Sequence, residues 1–147
     1  MTIVVDANIL ISVGISDEPL HTQAEQIVQM WRASNINLAA PRLFRSEITA
    51  VVRKAVFLDR ITHEYGRIFL SEFLAYPITF YDDDALLTSA YELANRFNRP
   101  RAYDAQYLAL AARLACEFWT ADERLYNAVR DGFAGIRWLG HWRVEGT

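Results

Sequence analysis

Four carboxylates stand where folding alone gives little reason for them: Asp6, Glu47, Asp104 and Asp122. Asp6 follows Ile3-Val4-Val5, a β-branched run that reads as a strand buried on both faces. Asp122 lies two residues past Thr120, at the end of a second strand-like run that starts at Phe118. Open α/β sheets bind ligands just outside the carboxyl ends of their strands, so both acids can share one edge. Glu47 comes three residues after Phe44 and four before Val51, on the apolar stripe of an expected helix. An unpaired charge facing inward there is very costly. Asp104 opens the apolar segment Ala105 to Cys116, in which Gln106 and Arg113 mark the solvent side. It precedes Gln106 by about 200° of helical rotation and so faces roughly away from water.

Each acid alone has an ordinary explanation. Asp6 can start a turn, Asp104 and Asp122 can cap helices, and Glu47 can pair with Arg45 or a distant arginine. Convergence changes the argument, because four acids brought together repel one another and demand a cation. Oxygen-only ligands without Cys or His select a hard ion, Mg²⁺ or Mn²⁺. Such an ion activates water and stabilises charge on a phosphoryl group, with one metal or two. By contrast, Asp82-Asp83-Asp84 reads as a helix cap and first turn rather than a metal cluster. Other templates fail: no G-x-S-x-G, G-x-G-x-x-G or P-loop pattern occurs, and the sole lysine, Lys54, is misplaced for a receiver-type switch.

The elements that must position these residues alternate between strand and helix. After the first strand, Ala24, Ile27, Val28 and Trp31 fall at helical spacing. Asn37 to Ala40 reads as a strand, and Pro41 as the start of a helix carrying Phe44, Ile48, Val51 and Ala55 on one stripe. Ile68, Phe69 and Phe73 suggest another helix, followed by a strand at Ile78 to Tyr81. Leu86, Ala90, Leu93 and Phe97 mark the next helix, ahead of the apolar segment from Ala105. A strand at Phe118 to Thr120, a short helix at Arg124 to Val129 and a strand near Gly135 to Leu139 complete the series. This alternation predicts a parallel-sheet α/β/α sandwich, a single domain over 1–147.

Composition bounds the function. The 147 residues carry 15 basic and 18 acidic side chains, a formal charge of −3, and 52% are hydrophobic. A folded chain of this size buries roughly 70% of its unfolded surface, so it builds a real core. Disorder and low complexity are excluded. No apolar run approaches the ~18 residues of a membrane span. The first residues lack the basic region of a signal peptide, and the expected location is cytoplasmic. One cysteine, Cys116, excludes an internal disulfide framework. Fourteen of the basic residues are arginine. A GC-rich coding bias explains this in ordinary terms; phosphate contact is the functional alternative, and Arg42, Arg45, Arg99 and Arg101 flank Glu47 and Asp104.

The segments VVDANIL, RSEITAVVRK, RAYDAQYLALA and FWTADERLY follow one another in the order and spacing of PIN-domain ribonucleases. The chain resembles most the VapC-type toxin branch of type II toxin–antitoxin pairs, from Ile3 to about Leu139. That resemblance implies a parallel sheet flanked by helices, metal-binding acids at Asp6, Glu47, Asp104 and Asp122, and supporting polar groups at Asn8 and Thr120. It implies a metal-dependent endoribonuclease acting on RNA, a homodimer, and a cognate antitoxin that inserts a basic residue into the acidic pocket. Some members carry one further acid after the last motif; here Glu123 is adjacent to Asp122, and its register leaves its membership of the site open. Two alternatives remain at this level. One is a housekeeping RNA-processing nuclease with the same chemistry. The other is a non-catalytic binding module whose acidic pocket receives a partner's Arg or Lys.

Overall fold

The structure, a computed structural model, describes residues 1–144; the last three residues of the expected 1–147 domain lie outside the described residues. The β-branched opening forms strand β1 (Thr2–Val5), which leads through helices α1 (Ala7–Gly14) and α2 (His21–Ala33) to β2 (Asn37–Pro41). Helices α3 (Leu43–Phe57) and α4 (His63–Leu74) then lead to β3 (Ile78–Tyr81). The chain continues through α5 (Asp84–Arg96), α6 (Tyr103–Leu114), β4 (Phe118–Thr120), α7 (Glu123–Val129) and β5 (Ile136–Trp138), and the last element among the described residues is a 3-10 turn at Leu139–His141.

Among the described residues the five strands form one sheet in the order β3-β2-β1-β4-β5, and every pairing is parallel. The chain works outward from β1 to β3, then crosses back to place β4 on the other side of β1. The order reverses between β1 and β4, and a crevice opens at the carboxyl ends of strands at such a switch point. Val4 pairs with Phe118 and Val5 with Trp119, which fixes the register in which Asp6 and Thr120 leave the sheet. Right-handed crossovers put α1 to α4 on one face and α5 to α7 on the other. The packing agrees: α1 meets α2 and α3, α3 meets α4, α5 meets α6, and α7 meets β5.

Burial follows from composition. Val4, Val5, Ile9, Leu10, Leu110 and Phe118 are wholly enclosed, each side chain contributing about 1.5–3 kcal/mol by leaving water. Helix α6 is apolar almost all round because it packs on β1, β2 and β4 on one side and α5 on the other. Among the described residues no helix is long and apolar enough to cross a membrane.

The sandwich and the spans of β3 and β4 match expectation, with four local corrections. Pro41 ends β2 rather than starting a helix: it pairs with Tyr81, and the Arg42 amide supplies the next hydrogen bond to the Tyr81 carbonyl at 3.0 Å. A proline at a strand end removes no donor the ladder needs. On α3 the enclosed stripe is Phe44, Ile48, Val52 and Ala55, with Val51 only partly covered. On α4, Ile68 is exposed while Gly66, Phe69 and Phe73 face inward. Helix α1 had no counterpart among the expected elements; its residues continue the apolar run of β1, and only the cap at Asp6 marks the change.

Candidate functional site

The site is built where β1 and β4 end. Asp6 is 5% exposed and caps α1, its Oδ1 accepting from the Asn8 amide at 3.3 Å. Its own amide donates to the Trp119 carbonyl at 2.9 Å, tying the end of β1 to β4. Thr120, fully buried, donates its hydroxyl to Asp6 Oδ2 at 2.9 Å and accepts from Asn8 Nδ2 at 3.2 Å and the Asp122 amide at 3.0 Å. Asn8 Oδ1 accepts from the Ala121 amide at 2.9 Å. Asn8 and Thr120 thus form one polar web that spans the switch point and fixes the Asp6 carboxylate.

Hydrogen bonds satisfy Asp6, but among the described residues its carboxyl has no basic counterpart. Burial foremost, then the charge of Glu47 and more weakly that of Asp104, pushes its carboxyl up to about 8. Glu47 projects from α3 and is partly buried; burial and Asp104 raise its carboxyl, while the bond from Tyr107 works the other way. Asp104 lies in the first turn of α6 and is raised by burial and by Asp122, with Arg99 opposing. Asp6 thus feels Glu47 and Asp104, Glu47 feels Asp104, and Asp104 feels Asp122. The single salt bridge to any of them among the described residues is Arg99 to Asp104, at 3.7 Å.

The ordinary explanations fare differently at each acid. Asp122 does cap its helix, with Oδ1 accepting from the Leu125 amide at 3.1 Å, and Asp6 caps α1. Capping does not account for Asp104, because Ala102 holds the cap position of α6. Among the described residues Glu47 pairs with no arginine; the Tyr107 hydroxyl donates to its Oε1 at 2.6 Å. Glu123 is exposed on the first turn of α7. Asp83 is a cap as expected, its side chain accepting from the Leu86 amide at 2.8 Å and pairing with Arg113.

Of the four flanking arginines, Arg101 lines a cleft of about 400 Å³ together with Glu47, Asp104, Leu43, Ser46 and Tyr103. Arg99 holds Asp104, and Arg42 is exposed at the start of α3. Arg45 is not brought to the acids. Its guanidinium donates to the Leu74 carbonyl at 3.4 Å and lies over the Phe80 ring at 5.6 Å.

Tyr107 is the residue that spacing alone missed. It is fully buried among the apolar residues of α6, and burial with the charges of Asp6 and Glu47 holds its hydroxyl well above its ordinary value, so it remains a donor. Its place three residues after Asp104, on the same helical face, was the available signal.

The donor set suits a hard divalent cation: carboxyl oxygens, one of them buried with no basic partner among the described residues, and no sulfur or imidazole drawn into the group. Among the described residues no three acidic, histidine or cysteine side chains converge closely enough to hold an ion in their resting positions. The repulsion among the four acids is what a cation would offset.

Comparison with known proteins agrees with this architecture. The PIN domain profile matches residues 3–131. A VapC ribonuclease of Mycobacterium bovis and Ribonuclease VapC9 of Mycobacterium tuberculosis are each 33% identical over 123 residues, covering 84% of this chain and 87% of the relative. Among solved structures, the fold is shared with VapC20 of Mycobacterium tuberculosis, described as a sarcin-ricin loop cleaving toxin. That match has a TM-score of 0.66 at 16% identity, covering 92% of this chain and 98% of that one. It is shared too with a toxin–antitoxin complex from Klebsiella pneumoniae, with a TM-score of 0.65 at 18% identity, covering 92% and 96%. FitAcB from Neisseria gonorrhoeae gives 0.64 at 15% identity, covering 95% and 99%.

Proposed function

Because this chain belongs to the PIN-domain family, within its VapC-type branch, we propose that its acidic edge is the catalytic centre of a metal-dependent endoribonuclease, the toxin of a toxin–antitoxin pair. The observation that carries this reading is Asp6, buried at the β1/β4 switch point within reach of the charges of Glu47 and Asp104 and with no basic partner among the described residues. Mg²⁺ or Mn²⁺ is the group this donor set suits. Such an ion would supply charge neutralisation at the scissile phosphate and a bound water more acidic than bulk water.

The chain's own residues prepare that chemistry. Asp6, Glu47, Asp104 and Asp122 serve as the ligands, and Thr120 and Asn8 hold Asp6 in one orientation. Tyr107 does the same for Glu47 and keeps it from turning into solvent. Arg101 beside the cleft and exposed Arg42 contact RNA phosphates, where a guanidinium binds two oxygens at once. Arg99 is a positioning group for Asp104. The cognate antitoxin places an Arg or Lys in the same pocket, which the negative charge favours. A homodimer and a cytoplasmic location complete the reading.

Purified protein incubated with structured RNAs should cleave them with Mg²⁺ and leave them intact in chelator. Equal cleavage in chelator would overturn the metal mechanism. Tyr107→Phe should keep the fold, since only one oxygen is removed. Losing the donor raises the Glu47 carboxyl further, so the acidic limb of the pH–rate profile should move to higher pH. A hydrogen bond to a charged group is worth about 1.5–3 kcal/mol, so the rate should drop roughly tenfold or more. An unshifted profile would remove Tyr107 from the site.

A further inference from the structure

The flank made by β4, β5 and α7 carries a group of aromatic rings that the four acids do not use. Trp138 donates its indole N–H to the Ala121 carbonyl at 3.4 Å, and the Ala121 amide donates to Asn8 Oδ1 at 2.9 Å. One residue therefore links the rings to the web around Asp6. Tyr126 lies near-parallel to Trp138 at 6.4 Å, and His141 stands edge-on to both, at 5.2 and 4.9 Å. With Trp119, Arg137 and Trp142 they line a cleft of about 180 Å³. Gly140 permits this arrangement, because a Cβ there would meet the Trp138 ring at 2.2 Å. His141 is exposed, and Tyr126, Trp138 and Trp142 are only partly covered.

Rings in water next to a centre that acts on a phosphodiester need an explanation, and charge narrows it. Arg130 lies over the Tyr126 ring at 5.9 Å. Exposed Arg124 shares α7 with Tyr126, and exposed Arg143 follows Trp142. Arg137 of the cleft pairs with Glu117 at 2.7 Å and Arg130 lies 3.9 Å from Asp131, whereas among the described residues neither Arg124 nor Arg143 forms a salt bridge. Aromatic faces on elements that also carry arginines are what an unpaired nucleic-acid strand requires: π-surface for bases and cations for phosphates. The cleft is below the ~300 Å³ of ordinary ligand pockets, which fits one planar ring system better than a helix face.

We propose that the Tyr126–Trp138–His141 cleft is a base-stacking subsite. It takes one unpaired base of the RNA strand whose backbone crosses the acidic edge. This rests on the ribonuclease reading above.

Binding measured in chelator separates the two. The probes are a short fluorescein-labelled single-stranded oligoadenylate, the same strand with one base removed at successive positions, and a labelled RNA duplex. Trp138→Leu and His141→Ala should each weaken the single strand about tenfold and leave the weaker duplex binding unchanged. Removing one base should cost wild type a similar factor at one position and cost the variants nothing. His141→Ala changes an exposed side chain, and base removal on the wild type needs no variant, so misfolding of Trp138→Leu leaves the test intact. Unchanged single-strand affinity, or equal loss on duplex, overturns the subsite. Variants that bind RNA normally but fail to bind an antitoxin overturn it too and assign the rings to a protein contact. Normal stacking-dependent binding without Mg²⁺-dependent cleavage would instead sink the nuclease reading and keep the subsite.

Discussion

Asp6→Asn is expected to abolish RNA cleavage and, in metal-free protein, to raise the melting temperature at pH 8 and above while lowering it slightly near pH 4. Folding lifts the Asp6 carboxyl from 3.8 to about 8, so the folded protein retains a proton that the unfolded chain releases across that interval. The stability this group contributes is fully present below about pH 4 and is lost as pH rises through the folded value. Integrated over the interval, the loss is on the order of 5 kcal/mol. Asparagine carries no charge and escapes it. The exchange has a smaller cost, because an amide N–H₂ would face the Thr120 hydroxyl, which already accepts from Asn8 and Asp122 and needs somewhere to donate. One such bond is worth about 1 kcal/mol. The two stability curves should therefore cross between pH 4 and 8. Thermal melts in chelator across that range check this, and parallel curves would mean that Asp6 is not held in a repulsive, desolvated state.

The second large effect concerns Asp104 and the cation. Asp104→Asn should reduce cleavage by a factor on the order of a thousand, the equivalent of about 4 kcal/mol of lost transition-state stabilisation. Its metal-free stability should hardly change. The Arg99 pair it gives up is long and partly exposed, worth about 0–1 kcal/mol, and repulsion from Asp122 is relieved in exchange. Wild type should gain about 2.7 kcal/mol when Mg²⁺ reaches a hundred times its dissociation constant, seen as a rise of several degrees in Tm. The variant should respond much less. Melts across Mg²⁺ concentrations with cleavage measured in parallel decide the matter. A variant that keeps both cleavage and the metal response shows that Asp104 only supports its helix. One that is destabilised by several kcal/mol yet still cuts RNA would make it half of a structural ion pair.

What the sequence disclosed and what it hid have physical causes. β4 and β3 were legible to the residue, because short apolar runs flanked by breakers have few other solutions. α1 was hidden because Val4 to Val13 reads as apolar nearly throughout, and the turn from strand to helix depends on one side-chain bond at Asp6. The stripe of α3 was off by one position, since Val51 and Val52 both fit a 3.6-residue period and only the neighbouring α4 decides between them. The four acids could be singled out by type and place, since carboxylates at strand ends and on apolar faces are costly. Their partners could not be foreseen. Whether Glu47 meets Arg45 or Tyr107 depends on how far a side chain reaches across helix packing, and Arg45 is taken up by Leu74 and Phe80. Spacing along one helix carries no record of that.

The bond from Thr120 to Asp6 joins residues 114 positions apart, and the β1–β4 pairing beneath it spans the same distance. Such non-local pairing forms late and only after the intervening chain is available. During synthesis β1 emerges before β4, and Asp6 lacks its Thr120 donor until 114 further residues have been added. A partly made copy therefore carries the first carboxylate without the hydroxyl that fixes its orientation.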